Sequence, residues 1–152
     1  MRRHEYFMKT AIYLANVAAR RGEVPIGSVI VLESDCRIIG YGYNLTETIN
    51  CSLEHAEMRA IRDASNKLNS WRLNCRGDVT LYTTIEPCTM CLGASKLSRI
   101  SSIVYGAKND KYSSISKIDC TDKLRIIGGV LEEECKLPMR SFFKKKRKRG
   151  QG

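Results

Sequence analysis

The chain has no apolar run that approaches the length of a bilayer crossing, so a transmembrane helix is not expected. Its basic beginning, Met1-Arg2-Arg3-His4-Glu5, is not followed by an uninterrupted apolar core, so a signal peptide is not expected either. The regular cysteine spacing of a disulfide framework is missing as well. There are seven cysteines, an odd number, and a reduced, cytoplasmic setting is the expectation. No internal repeat is present, which argues against a solenoid or propeller. Acidic side chains are in short supply: 16 Asp and Glu stand against 26 Lys and Arg, a net charge of +10. That balance favours a polyanionic partner, nucleic acid before an anionic membrane surface. Solubility alone is the blander explanation.

What is present is an ordinary globular composition, with 43% hydrophobic and 28% charged residues in a chain of 152. One domain with a self-sufficient core is expected. Apolar residues at helical spacing predict a helix over His4–Arg21 that stops at Gly22. Val29–Leu32 and Arg37–Tyr43, separated by Glu33-Ser34-Asp35, read as a hairpin. Asn44–Ser52 is polar and irregular, and Leu53–Leu68 reads as a helix. Asn69–Asp78 reads as a loop, Val79–Thr83 as a strand, and a helix is expected to begin at Pro87. Ile100–Tyr105 and Leu124–Ile127 read as strands, 108–123 has no firm assignment, and Val130 to about Lys146 reads as a last helix despite Pro138. The fold class expected is therefore α/β, a mixed five-stranded sheet with helices on its faces. The domain is placed at 1–143, and a basic tail at 144–152.

Two short stretches carry chemistry. His55-Ala56-Glu57 and Pro87-Cys88-Thr89-Met90-Cys91 together supply an imidazole, a carboxylate and two thiols. Cys2His is an attested ligand set for catalytic zinc, with the fourth position left to water. Cys88 and Cys91, three apart, share one helix face. His55 and Glu57, two apart, would point away from each other in mid-helix, so they can converge only at a first turn. Both stretches fall at expected helix starts, whose partial positive charge favours the thiolates. Glu57 is then the base that takes a proton from the water. A closed structural site would need a fourth ligand, and Cys51 is the nearby candidate. The other cysteines, Cys36, Cys51, Cys75, Cys120 and Cys135, read as small buried hydrophobes.

HxE followed roughly thirty residues later by PCxxC is the signature of zinc nucleobase deaminases. Beyond that motif, the chain resembles the bacterial tRNA-specific adenosine deaminases of the cytidine deaminase superfamily. The resemblance runs through nearly the whole length. It includes His4-Glu5-Tyr6-Phe7-Met8, Glu23-Val24-Pro25-Ile26-Gly27, Leu81-Tyr82-Thr83-Thr84-Ile85-Glu86-Pro87-Cys88, Tyr105-Gly106-Ala107-Lys108, Gly129 to Cys135, and Phe142-Phe143 before the basic end. It implies a three-layer α-β-α fold, one Zn2+ per subunit held by His55, Cys88 and Cys91, and a homodimer. The implied reaction is hydrolysis of adenosine to inosine at the wobble position (34) of a tRNA anticodon, with Glu57 as acid and base in turn. It also implies that Asn44 hydrogen-bonds the flipped base and that Val24 covers it. Read by itself, Asn44 is first a turn residue ending a strand, and only the resemblance favours the binding role.

The basic end is read for phosphates. Arg140, Lys144, Lys145, Lys146, Arg147, Lys148 and Arg149 lie within ten positions, predicting salt-dependent RNA affinity. Phe142 and Phe143 are candidates for stacking on splayed bases, with core packing as the alternative. The family pattern places an aspartate after Tyr105-Gly106-Ala107-Lys108, whereas this chain has Asn109. An amide accepts a ribose 2′-OH less strongly than a carboxylate, so looser discrimination of RNA from DNA is expected. Two other functions compete: a small-substrate deaminase (guanine, cytidine or deoxycytidylate) and a structural-zinc RNA-binding module. The charge speaks against the first, and a Glu57→Ala variant separates the second.

Overall fold

A computed structural model describes residues 2–111 and 123–150. The elements are α1 (Arg2–Arg20), β1 (Gly27–Leu32), β2 (Arg37–Tyr43), α2 (Thr46–Ile49), α3 (Ala56–Leu68), a 3-10 turn (Leu73–Arg76), β3 (Val79–Ile85), α4 (Thr89–Leu97), β4 (Ser102–Ala107), β5 (Arg125–Ile127) and α5 (Glu132–Gly150). The strands form one sheet in the order β2-β1-β3-β4-β5. β1 pairs antiparallel with β2 and β3, while β3–β4 and β4–β5 are parallel. This is the mixed five-stranded α/β sheet expected.

Alternation along the strands divides the core into two layers. Ile30, Leu32, Leu81 and Ile103 pack with Ala60, Ile61 and Ala64 of α3 and Leu92 of α4. Their neighbours Val29, Val31, Tyr82 and Val104 pack on the other face with Phe7, Met8 and Ala11 of α1 and Cys135 of α5. Helices thus cover both faces in three layers. On β2 the two glycines at alternate positions let α3 lie directly on the strand. A Cβ on Gly40 would sit 2.4 Å from the Ala60 carbonyl oxygen, and one on Gly42 would sit 2.1 Å from that of Ala56.

Several boundaries depart from the sequence reading. Asn44–Ser52 is not wholly irregular, since Thr46–Ile49 closes one helical turn ending at Asn50 in the left-handed region. α3 starts at Ala56 rather than Leu53, because His55 is extended (φ −71°, ψ 155°) and takes the N-cap position. β3 continues two residues further, to Ile85, and β4 is shifted toward Ala107. α5 does not end near Lys146. It runs through Gly150, so residues 144–150 extend the helix. Pro138 falls inside it without ending it. Of the cysteines expected to be buried hydrophobes, Cys135 is buried, Cys51 is half-buried, and Cys36 and Cys75 are exposed. Cys120 and most of 108–123 lie outside the described residues. Among the described residues no helix is long and apolar enough to cross a membrane.

Candidate active site

The sequence folds so that two helices begin at the same place. β2 ends at Tyr43, and the chain returns through α2 to His55, the N-cap of α3. β3 ends at Ile85, and after the buried Pro87 the chain enters α4 with Cys88 as its N-cap. Each helix is closed by a first-turn hydrogen bond, Arg59 N–H to His55 O at 3.0 Å and Leu92 N–H to Cys88 O at 2.9 Å. Placing His55 at the cap resolves its short spacing to Glu57, since residues of a cap and a first turn can face one point.

His55 Nδ1 lies 3.6 Å from Cys88 Sγ and 3.5 Å from Cys91 Sγ. All three ligand atoms fall within 4.8 Å of one another. Ligands at the ordinary Zn–N and Zn–S distances of a tetrahedral ion stand about 3.6 Å apart. The two imidazole–thiol distances therefore match a tetrahedral zinc site, and the ring presents Nδ1. Cys51 is not among the grouped residues, so the fourth-ligand alternative finds no support in the described residues.

The charges of the cluster are interdependent. Hydrogen bonds from the Cys91 thiol and the His55 ring pull Cys88 down to about 3, making it a thiolate. Cys91 is pushed up, because it donates to Cys88 and is buried. His55 is raised chiefly by its hydrogen bond to Cys88, against the opposing effect of burial. Metal binding therefore requires Cys91 to release its proton. Glu57, on the first turn of α3, is 4% exposed. Burial raises its pKa, which suits a group that must hold a proton as well as take one.

Asn44 and Val24 are brought together beside α2. The buried Asn44 donates from Nδ2 to Val24 O at 3.3 Å and accepts Thr46 N–H at 3.2 Å. Each bond occupies one of the amide's two donors or two lone pairs, which leaves one of each for a ligand. Asn109 is turned to a local purpose: its Oδ1 accepts Lys111 N–H at 3.3 Å, and its own N–H donates to Glu86 at 3.2 Å. Phe142 is half-buried and Phe143 exposed, with their rings edge to face at 5.3 Å. Lys144, Lys145, Lys146 and Arg147 are exposed on the last turns of α5, with Lys146 over the Phe142 ring.

Three supports were not visible in the sequence. Glu23, fully buried, accepts Glu47 N–H at 3.0 Å and Thr48 N–H and hydroxyl at 2.7 and 2.6 Å. Burial alone would raise its pKa, but these bonds from Thr48 and Glu47 bring it below the ordinary value. It ties the Val24 segment to the Asn44 segment. Glu54 accepts from Arg62 and Arg59, which lowers its pKa and shores up the turn before His55. Thr83 and Ser28 reach Glu57 from beneath. Their motif sign is weak, because cross-strand neighbours declare themselves only once the strands are paired.

Comparison with known proteins places this geometry. The family model described as the cytidine and deoxycytidylate deaminase zinc-binding region matches residues 1–107. The tRNA-specific adenosine deaminase of Bacillus subtilis (strain 168) is 40% identical over 156 residues, covering 98% of this chain and 94% of that protein. A solved structure from work on A-to-I editing by tRNA:A34 deaminases at the wobble position is 34% identical, with a TM-score of 0.78, covering 88% of this chain and 98% of that one. A guanine deaminase from Nitrosomonas europaea superimposes with a TM-score of 0.83 at 22% identity, covering 91% of this chain and 83% of that one. At that identity the last likeness speaks to the fold alone.

Proposed function

The chain belongs to the tRNA-specific adenosine deaminases of the cytidine and deoxycytidylate deaminase zinc-binding family, and on that premise we propose that it hydrolyses adenosine to inosine at the wobble position (34) of a tRNA anticodon. The observation that carries the reading is the His55–Cys88–Cys91 cluster at zinc spacing with the buried Glu57 beside it.

A zinc ion held by His55 Nδ1, Cys88 Sγ and Cys91 Sγ supplies the Lewis acidity that makes water nucleophilic at neutral pH. Glu57 takes one proton from the water that attacks C6 and delivers it to N1 of the adenine. It then takes the second from the new C6 hydroxyl and delivers it to the amino group, which leaves as ammonia. Asn44 holds the base edge with its remaining donor and acceptor, and Val24 covers the ring. Asn109 lies by the ribose with its oxygen engaged by Lys111, which fits a weak contact to the 2′-OH. Phe142 and Phe143 stack on neighbouring bases, and Lys144, Lys145, Lys146 and Arg147 meet phosphates.

The same reading makes 1–143 the catalytic domain and 144–152 an RNA-binding extension, in a cytoplasmic homodimer. Ile49, Leu53, Trp71 and Leu97, in or flanking α2, α3 and α4, are each exposed, which supports a second copy covering apolar side chains there. The test is incubation with an anticodon stem-loop bearing adenosine at the wobble position. Inosine is the expected product. No conversion there, with ammonia released from free guanine or cytidine, would refute the reading in favour of a small substrate.

A further inference from the structure

Beneath Glu57 the sheet carries two hydroxyls that the reaction as described does not use. Ser28 on β1 and Thr83 on β3 stand opposite each other in antiparallel register. Both are fully buried, on the face that carries α3. An alanine and a valine would fill such positions without burying a polar group, so the hydroxyls call for a reason.

Their hydrogen bonds run one way. Ser28 Oγ donates to Thr83 Oγ1 at 2.9 Å, and Thr83 Oγ1 donates to Glu57 Oε1 at 3.0 Å. Ser28 Oγ is itself 3.5 Å from the same oxygen, at the limit of a hydrogen bond. Each hydroxyl has one proton to give. A carboxylate can only accept, so the Thr83 proton goes to Glu57 and the Ser28 proton goes to Thr83. In such a chain each bond polarises the next. The chain of hydroxyls ends on Oε1, so this oxygen is tethered; the Cys91 thiol is a further hydrogen-bond partner of the carboxyl group and gives up its proton when the metal binds.

We propose that Ser28 and Thr83 are positioning residues that pin Oε1 of Glu57, fix the plane of its carboxyl group and assign the mobile proton to Oε2. The inference rests on Glu57 being the proton carrier of the proposed reaction. A group held this way is presented to substrate without searching its rotamers, so its effect belongs in kcat and not in KM.

The test uses the zinc-loaded chain. Thr83→Val lowers kcat by about tenfold, the loss of one ordinary hydrogen bond, with KM unchanged and one zinc per chain retained. Thr83→Ser restores it. Ser28→Ala gives a smaller loss that vanishes in a Thr83→Val background, because the chain is already cut there. The infrared difference between the unmodified chain and Glu57→Gln isolates the Glu57 carboxyl band. That band shifts in Thr83→Val and returns in Thr83→Ser. An unmoved band, unchanged kcat in Thr83→Val, or losses from Ser28→Ala and Thr83→Val that simply multiply would overturn the proposal. If the band moves as stated while the unmodified chain makes no inosine, the substrate reading falls and the positioning stands.

Discussion

Replacing Gly42 by alanine tests whether the closeness of α3 to β2 serves the site or only the fold. Gly42 has no positive φ, so its backbone does not demand glycine. The room above it does. The added Cβ would stand 2.1 Å from Ala56 O and 2.5 Å from Ala60 N. A comfortable contact is about 3.5 Å, so the first turn of α3 must withdraw by about 1.4 Å. Ala56 lies between His55 and Glu57, and neither can keep its place if it moves. Overpacking of this kind costs about 1–3 kcal/mol of stability. A displacement on the order of 1 Å at a reacting group costs on the order of 10²-fold in rate. Gly27→Ala is the control. Its Cβ would meet Ala11 O at 1.9 Å, a clash with α1 on the opposite face. Urea midpoints, zinc retention against a chelator and single-turnover inosine formation are measured on both. Both variants lose stability, and Gly42→Ala alone releases zinc readily and loses turnover out of proportion. Equal loss of turnover per unit of stability in the two variants would refute the reasoning.

Glu57→Gln keeps one zinc per chain and loses about 10²–10⁴-fold in kcat, as read by metal analysis and inosine assay. Glu23 and Glu54 have lowered folded pKa values, so their stabilisation is present above the ordinary carboxylate value of 4.5 and is lost as pH falls through the lowered ones. Melting temperature is accordingly steady near neutrality and falls below that value, and Glu23→Gln, less stable at pH 7, shows a shallower fall. Deleting residues 144–152 weakens stem-loop binding and flattens the slope of log affinity against log salt, while the rate on saturating stem-loop is kept. A slope unchanged by the deletion would remove the tail from the interface.

Much of this architecture was legible in residue order. The hairpin, the alternation of strands and helices after it, and the zinc triad at helix starts could all be inferred from spacing. The two-residue step from His55 to Glu57 required a helix end, and the chain supplies one by holding His55 extended. What could not be read is what depends on pairing. Ser28 and Thr83 are 55 residues apart and meet only through register. Nothing in the spacing around Glu23 marks it for burial, and only the turn of α2 brings it three donors. The continuation of α5 past Lys146 was hidden by composition, since its last residues are almost all lysine and arginine. Glu132, Glu133 and Glu134 in its first turn and Arg147, Lys148 and Arg149 in its last match the helix dipole and favour the longer helix.

The position of the triad also has a consequence for how the chain holds its shape. His55 follows the antiparallel hairpin and begins the helix that covers it. Cys88 and Cys91 belong to the β3-α4-β4 unit, the parallel half. The three side chains therefore sit on the seam between the two halves of the sheet, and one ion bridging them acts as a rivet across it. Chelation removes a reagent and also unfastens the joint, since binding energy for a folded metal site is folding energy. The chain's working temperature range is thus set in part by the metal supply of its surroundings.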